Sequence, residues 1–154
     1  MTNVSSGPTI CLYLRVMANR SDLQSFDDFH RLIGLFYEHL LSSEMAYLFT
    51  DVAQIDLEPH VEGVAHFWSS MLIGGNTYQG NPMEPHLKLN RLSPLNHEHF
   101  ALWLRLFNLS VDSLFEGEMA EQAKSRAAQI ASVMEFKVAQ EGRPPIEIKT
   151  TDPR

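Results

Sequence analysis

Apolar side chains recur at helical spacing over most of the chain. The first such run follows Ser25, which opens a variant of the capping box, and it continues to about Leu41. Its apolar members are Phe29, Ile33, Phe36 and Leu40. The spacing predicts an amphipathic helix, and it places Tyr37 at the edge of the buried face.

A second helix is predicted to begin near Pro59, because proline is favoured in the first turn of a helix. The run Gly74-Gly75-Asn76 ends it, since these residues accept left-handed backbone. His60 is spaced so that its imidazole shares the apolar face of this helix. That face is formed by Val61, Val64, Phe67, Trp68, Met71 and Leu72.

The segment between residues 42 and 56 predicts a short helical turn, Glu44 to Phe49, followed by a polar connection. Residues 77–95 contain three prolines and predict a loop that encloses one short helix, on which His86 lies. Two further helices are predicted, from His97 to about Phe115 and from Glu118 to about Ala139. No segment requires a β-sheet, so the pattern indicates an all-α protein.

The same pattern divides the chain into an N-terminal extension at 1–20, one helical domain at 21–140 and a polar tail at 141–154. The proline-rich composition of the tail predicts disorder. A chain of 154 residues with 44% hydrophobic residues can bury a single core without a disulfide. Cys11 is the only cysteine, which favours a reducing cytoplasm.

The net charge of -7 argues against nucleic acid or an anionic membrane as a partner, because both attract clustered Lys and Arg. The N-terminal apolar run is short and contains Arg15, so it predicts neither a signal peptide nor a membrane span. These features together predict a soluble, cytoplasmic protein.

The chain has no nucleophile elbow, no phosphate-binding glycine loop and no zinc-binding His-Glu-x-x-His motif. Histidines are the remaining candidates for chemistry, because imidazole is a common metal ligand. His60 and His86 bracket the most apolar segment of the chain. The pattern alone favours a partly exposed polar role for both histidines over a ligand role. The other five are simplest as surface or helix-end residues: His30, His39, His66, His97 and His99.

Several motifs nevertheless carry a family resemblance. They are HFWSSMLIG at 66–74, YQGNPM at 78–83, HFALWLRLF at 99–107 and RAAQIA at 126–131. Together with Phe36-Tyr37, Leu48-Phe49, His60 and His86, they resemble the truncated haemoglobins of the third group over about residues 25–138. The resemblance implies a shortened globin fold, a two-on-two helical sandwich around haem b (iron protoporphyrin IX).

By the same resemblance, His86 is the proximal ligand of the haem iron. Tyr37, His60 and Trp103 then lie on the distal face, where the phenol and the indole N–H are suitable donors to a bound diatomic ligand. His60 either joins that hydrogen bonding or gates access to the pocket. Arg91 is a candidate for the haem propionates, with plain solvent exposure as the alternative. The residues implied to contact the porphyrin are Phe49, Phe67, Trp68, Met71, Leu72 and Phe107.

The resemblance implies a haem protein that reversibly binds oxygen, nitric oxide or other diatomic ligands. One alternative is an enzyme at the same iron, with nitric oxide dioxygenase or peroxidase-like activity. That alternative needs an external reductase, because nothing in the chain resembles a flavin domain. A further alternative, from another class, is a haem-free helical interaction or sensor module.

Overall fold

The computed structural model describes residues 20–75 and 77–142. Within these ranges the chain is helical and contains no strand, which confirms the all-α prediction. Nearly all of the predicted N-terminal extension and C-terminal tail lies outside the described residues, as do Cys11 and Asn76. The elements are α1 (Phe26–Leu41), a π-helical turn (Leu48–Val52), α2 (Leu57–Leu72), α3 (Met83–Leu92), α4 (His97–Leu114) and α5 (Glu118–Glu141).

The α-helices begin and end close to the predicted positions, and two of them have the predicted caps. Ser25 Oγ accepts a hydrogen bond from the Asp28 amide, and Asp28 Oδ2 accepts one from the Ser25 amide. Asn96 caps α4 in the same way, with His99 as the reciprocal partner. Side-chain acceptors at these positions satisfy amides that have no partner within the first helical turn.

The connection between α1 and α2 differs from the predicted turn at Glu44–Phe49. A π-helical turn lies later in the chain, at Leu48–Val52, and its hydrogen bonds span five residues instead of four. The Ala53 amide donates to the Leu48 carbonyl at 2.9 Å. Leu48 is buried in this π-helical turn, and Phe49 packs against the core while staying partly buried. Apolar spacing cannot distinguish a bond to the fifth preceding residue from one to the fourth.

Two helix pairs form the body of the domain. Helix α1 packs on α2, α4 packs on α5, and α1 also packs against α4, so that the two pairs share one core. Large aromatic rings fill the centre of this core. The rings of Trp68 and Phe107 stack with their centroids 4.5 Å apart, and Phe36 meets Phe107 edge-on with a centroid distance of 5.3 Å. None of the described helices is long and apolar enough to cross a bilayer.

Asp22, which precedes α1, caps the start of the last helix. Its carboxylate accepts hydrogen bonds from the Met119 and Ala120 amides, each at 2.8 Å. Gly117, just before α5, has φ 147, and a Cβ at this position would collide with the Asp22 carboxylate. The glycine therefore lets a distant carboxylate reach the N-terminus of α5, where negative charge is favourable.

Replacing Asp22 with alanine should lower the free energy of unfolding by roughly 1–3 kcal/mol, because two α5 amides lose their acceptor. Urea unfolding of the two proteins measures the difference. Asp27→Ala is the control, since Asp27 is exposed in the first turn of α1. Equal losses in the two variants would contradict the capping role.

Candidate functional site

Tyr37 on α1 and His60 on α2 form a polar pair inside an apolar region. The Tyr37 hydroxyl lies 2.7 Å from His60 Nε2, and the Tyr37 side chain is buried. Burial raises the pKa of the Tyr37 phenol, so the hydroxyl keeps its proton. Burial also lowers the pKa of His60, and repulsion between the protonated forms of His60 and His86 lowers it further. The pair is therefore neutral near pH 7.

The tautomer of His60 determines what Tyr37 can do. If His60 Nε2 carries no hydrogen, the phenol donates to it. If Nε2 carries the hydrogen, it donates to the phenol oxygen, and the phenol hydrogen is free for another acceptor. A short contact between two amphoteric groups thus provides one donor that can be turned toward a ligand.

His86 on α3 has a defined tautomer. Its Nδ1 lies 2.6 Å from the Pro82 carbonyl oxygen. A carbonyl can only accept, so Nδ1 carries the hydrogen and Nε2 keeps its lone pair. Burial lowers the pKa of His86, opposed in part by the hydrogen bond to Pro82, and the ring stays neutral near pH 7. A neutral imidazole with Nδ1–H bonded to a carbonyl is the usual state of a metal-binding histidine.

The Pro82 carbonyl was not anticipated from the sequence. Pro82 is the N-cap residue of α3, and His86 lies four positions later, within reach of the cap carbonyl. The spacing Pro-x-x-x-His at the start of a short helix is the signal that could have identified this contact.

The aromatic residues expected at a cofactor fall into two groups. Phe49, Phe67 and Trp103 are partly buried and pack against the main core. Phe49 meets the Tyr37 ring edge-on at 5.7 Å, and Trp103 meets Phe36 edge-on at 5.5 Å. Trp68 and Phe107 instead lie fully inside the core and stack on each other. Each of these two rings also contacts one ring of the first group, Trp68 with Phe67 and Phe107 with Trp103, with centroids 5.7 Å apart in both cases.

The structure separates two aliphatic members of the expected lining. Leu72 is partly buried against the core. Met71 is exposed, with 37% of its surface accessible, and lies outside the core cluster. Arg91, considered for the propionates, forms a salt bridge with Glu141 at 2.6 Å and another with Glu84 at 3.5 Å. Its guanidinium is thus already paired with two carboxylates.

A cavity of about 370 Å³ lies at the other end of α3, and none of the expected site residues lines it. It opens between the ends of α3, α4 and α5, with Leu95 and Val138 among its apolar residues. Tyr37 on α1, His60 on α2 and His86 on α3 therefore lie apart from this cavity.

The structure is that of an all-α protein with neutral histidines on α2 and α3, a buried phenol on α1 and partly buried aromatic rings against its core. Over 106 residues the chain is 30% identical to a group 3 truncated hemoglobin, ctb, of Campylobacter jejuni. The match covers 66% of this chain and 81% of that protein. No family model matches the sequence.

The crystal structure of the group III truncated hemoglobin from Campylobacter jejuni has the same fold. It matches with a TM-score of 0.70 and 26% identity, over 82% of this chain and 100% of that one. The chain belongs to the group 3 truncated haemoglobins, and the predicted truncated globin fold is confirmed. Membership implies a haem cofactor.

Proposed function

We propose that this protein holds haem b through His86 and reversibly binds oxygen or another diatomic ligand on the side of Tyr37, His60 and Trp103. The observation that carries the proposal is the contact between His86 Nδ1 and the Pro82 carbonyl, from which the tautomer of His86 follows. The 2.6 Å bond from Nδ1 to the Pro82 carbonyl leaves Nε2 as the only nitrogen able to bind a metal. Lowered pKa keeps this nitrogen unprotonated near neutral pH.

The surroundings fit a flat apolar macrocycle. Helix α3 has no fully buried residue, and Phe49, Phe67, Leu72 and Trp103 keep part of their apolar surface uncovered by the core. An inserted porphyrin would cover such surface at roughly 25 cal/mol per Å². When bound, haem supplies an iron with one open position for a diatomic ligand.

The distal residues would tune the ligand's residence time. Tyr37 stays protonated because burial raises the pKa of the phenol, so it can donate a hydrogen bond but does not bring a negative charge. His60 either holds the Tyr37 hydroxyl at 2.7 Å or turns away and releases it. Tyr37 is buried, and a hydrogen bond from its hydroxyl is stronger in such a low-dielectric setting than in water.

Nitric oxide dioxygenation is the second candidate, and the donor from Tyr37 favours it because the phenol can polarise a bound ligand. Peroxidase-like chemistry is less favoured by the proximal side. A carboxylate partner would draw the Nδ1 proton away and make His86 more electron-donating, whereas the Pro82 carbonyl is a weaker acceptor.

The test is haem uptake by the purified chain, followed by ligand binding. We expect one haem per chain, an intense Soret band and reversible spectral changes with oxygen and carbon monoxide. A colourless protein that takes up no added haemin would overturn the proposal and favour the haem-free module. Repeated consumption of nitric oxide with a reductase and NADH, beyond one equivalent, would instead favour the enzyme.

A further inference from the structure

Helix α3 carries His86, but its own burial does little to fix its position. None of its residues is fully buried, and its apolar residues Met83, Leu87 and Leu89 pack only partly against the two core clusters. A core-facing helix is normally located by buried side chains. The C-terminal half of α3 is held by packing on α5 and by the bonds from Asn90 and Arg91 to Glu141. The N-terminal half, which carries His86, directly follows the connection from α2, so this connection contributes to its placement.

Ser70, in the last turn of α2, makes three hydrogen bonds to the first described residues of that connection after Gly75. Its Oγ accepts hydrogen bonds from the Thr77 and Tyr78 amides, each at 3.1 Å. These two donors use both lone pairs of the hydroxyl oxygen. The Ser70 hydrogen is then left for Thr77 Oγ1, which lies 2.8 Å away. We call Ser70, Thr77 and Tyr78 the Ser70 clamp.

A histidine extends the clamp in one direction. Because Thr77 Oγ1 accepts from Ser70, its own hydrogen can donate to His66 Nδ1 at 3.2 Å. The His66 ring stacks on Phe26 of α1 at 4.4 Å, and its Nε2 faces Glu62 at 3.9 Å. The clamp is thus held to the body of the domain through two helices.

The chain between the clamp and His86 is braced at successive positions. The Tyr78 ring meets Phe67 edge-on at 5.3 Å and lies over Gly80, where an added Cβ would be 2.6 Å from the phenol oxygen. Asn81 Oδ1 then accepts from the Met83 amide at 3.1 Å. The next contact is that of His86 with the Pro82 carbonyl, so bracing is continuous from Ser70 to His86.

We infer that Ser70 is a positioning residue for His86: the Ser70 clamp fixes the connection that sets the Pro82 carbonyl and hence the orientation of the proximal imidazole. This inference rests on the proposed role of His86 as the haem ligand. It also assigns a physical purpose to two motifs of the chain, because Ser70 of HFWSSMLIG binds the start of YQGNPM.

Ser70→Ala tests the clamp, and Ser69→Ala is its matched control. Ser69 is the neighbouring serine, and among the described residues its hydroxyl donates only to the His66 carbonyl of its own helix. Ser70→Thr keeps the hydroxyl and should restore the wild-type behaviour. Hydrogen exchange of the Thr77 and Tyr78 amides reports on the clamp in each protein, whether or not haem is present.

In Ser70→Ala we expect these two amides to exchange about tenfold faster or more, since they lose their acceptor. In the ferrous haem-loaded protein, we expect the iron–histidine stretching band in the resonance Raman spectrum to shift or broaden. Ser69→Ala should leave both readouts unchanged. Haem content is measured in parallel, so that loss of haem is not read as a change in orientation.

Unchanged amide exchange in Ser70→Ala would overturn the clamp. Faster exchange with an unaltered iron–histidine band would show that the clamp exists but does not position His86, which also overturns the inference. A wild-type protein without haem uptake would instead remove the proposed function, and with it any positioning of a ligand. The exchange data would still decide separately whether Ser70 holds the connection.

Discussion

Replacing His86 with alanine is expected to abolish stable haem binding. His86 offers the unprotonated Nε2, and its orientation depends on the bond to the Pro82 carbonyl. Loss of an outer partner of a metal ligand already weakens metal binding roughly 10–100-fold, and loss of the ligand itself should exceed this. Haem transfer to an excess of apomyoglobin measures the rate of loss.

His97→Ala is the control for the His86 substitution. His97 is exposed on α4, where it pairs with Glu135 at 2.8 Å, so haem loss should be unaffected. Added imidazole should restore a histidine-like ferrous spectrum in His86→Ala, because the small ligand can occupy the space of the missing ring. Retention of haem with an unaltered spectrum in the variant would assign the proximal role to another histidine.

Helical periodicity predicted α1, α2, α4 and α5, whereas α3 was predicted from the prolines of residues 77–95 and the π-helical turn was not predicted. Apolar residues recur every three or four positions and form a stripe about 100° wide along one side of each helix. The capping boxes at Ser25 and Asn96 mark where α1 and α4 begin. The same reasoning also put His60 on the Phe67 face of α2. Its 2.7 Å contact with Tyr37 depends on how α1 crosses α2, which spacing along one helix does not determine.

Long-range polar contacts were the part that periodicity could not supply. Asp22 accepts a hydrogen bond from the amide of Met119, 97 residues later in the chain. No pattern in the residues around Asp22 predicts such a distant partner. Ser70 is a small polar residue at the end of an apolar helix, and its three bonds depend on the path of the following loop. Met71 shows the opposite limit, since it shares the apolar face yet is exposed near the helix end.

Replacing Tyr37 with phenylalanine is expected to speed oxygen dissociation. The substitution removes the phenol hydroxyl and keeps the ring that packs edge-on against Phe49 and Phe36. A hydrogen bond to a ligand in a dry pocket is worth roughly 1–3 kcal/mol, which corresponds to a 5–150-fold faster dissociation. Stopped-flow displacement of oxygen by carbon monoxide measures the rate.

Tyr47→Phe is the matched control, because Tyr47 is exposed and, within residues 20–75 and 77–142, its hydroxyl contacts only His99, at 3.4 Å. His60→Leu shows which group receives the phenol hydrogen. If Tyr37 donates to His60 in the ligated protein, removing the imidazole frees the phenol and slows dissociation; if Tyr37 already donates to the ligand, the rate changes little. A Tyr37→Phe protein with the wild-type dissociation rate would exclude the phenol from ligand stabilisation, and the 2.7 Å pair would then be a structural contact between α1 and α2.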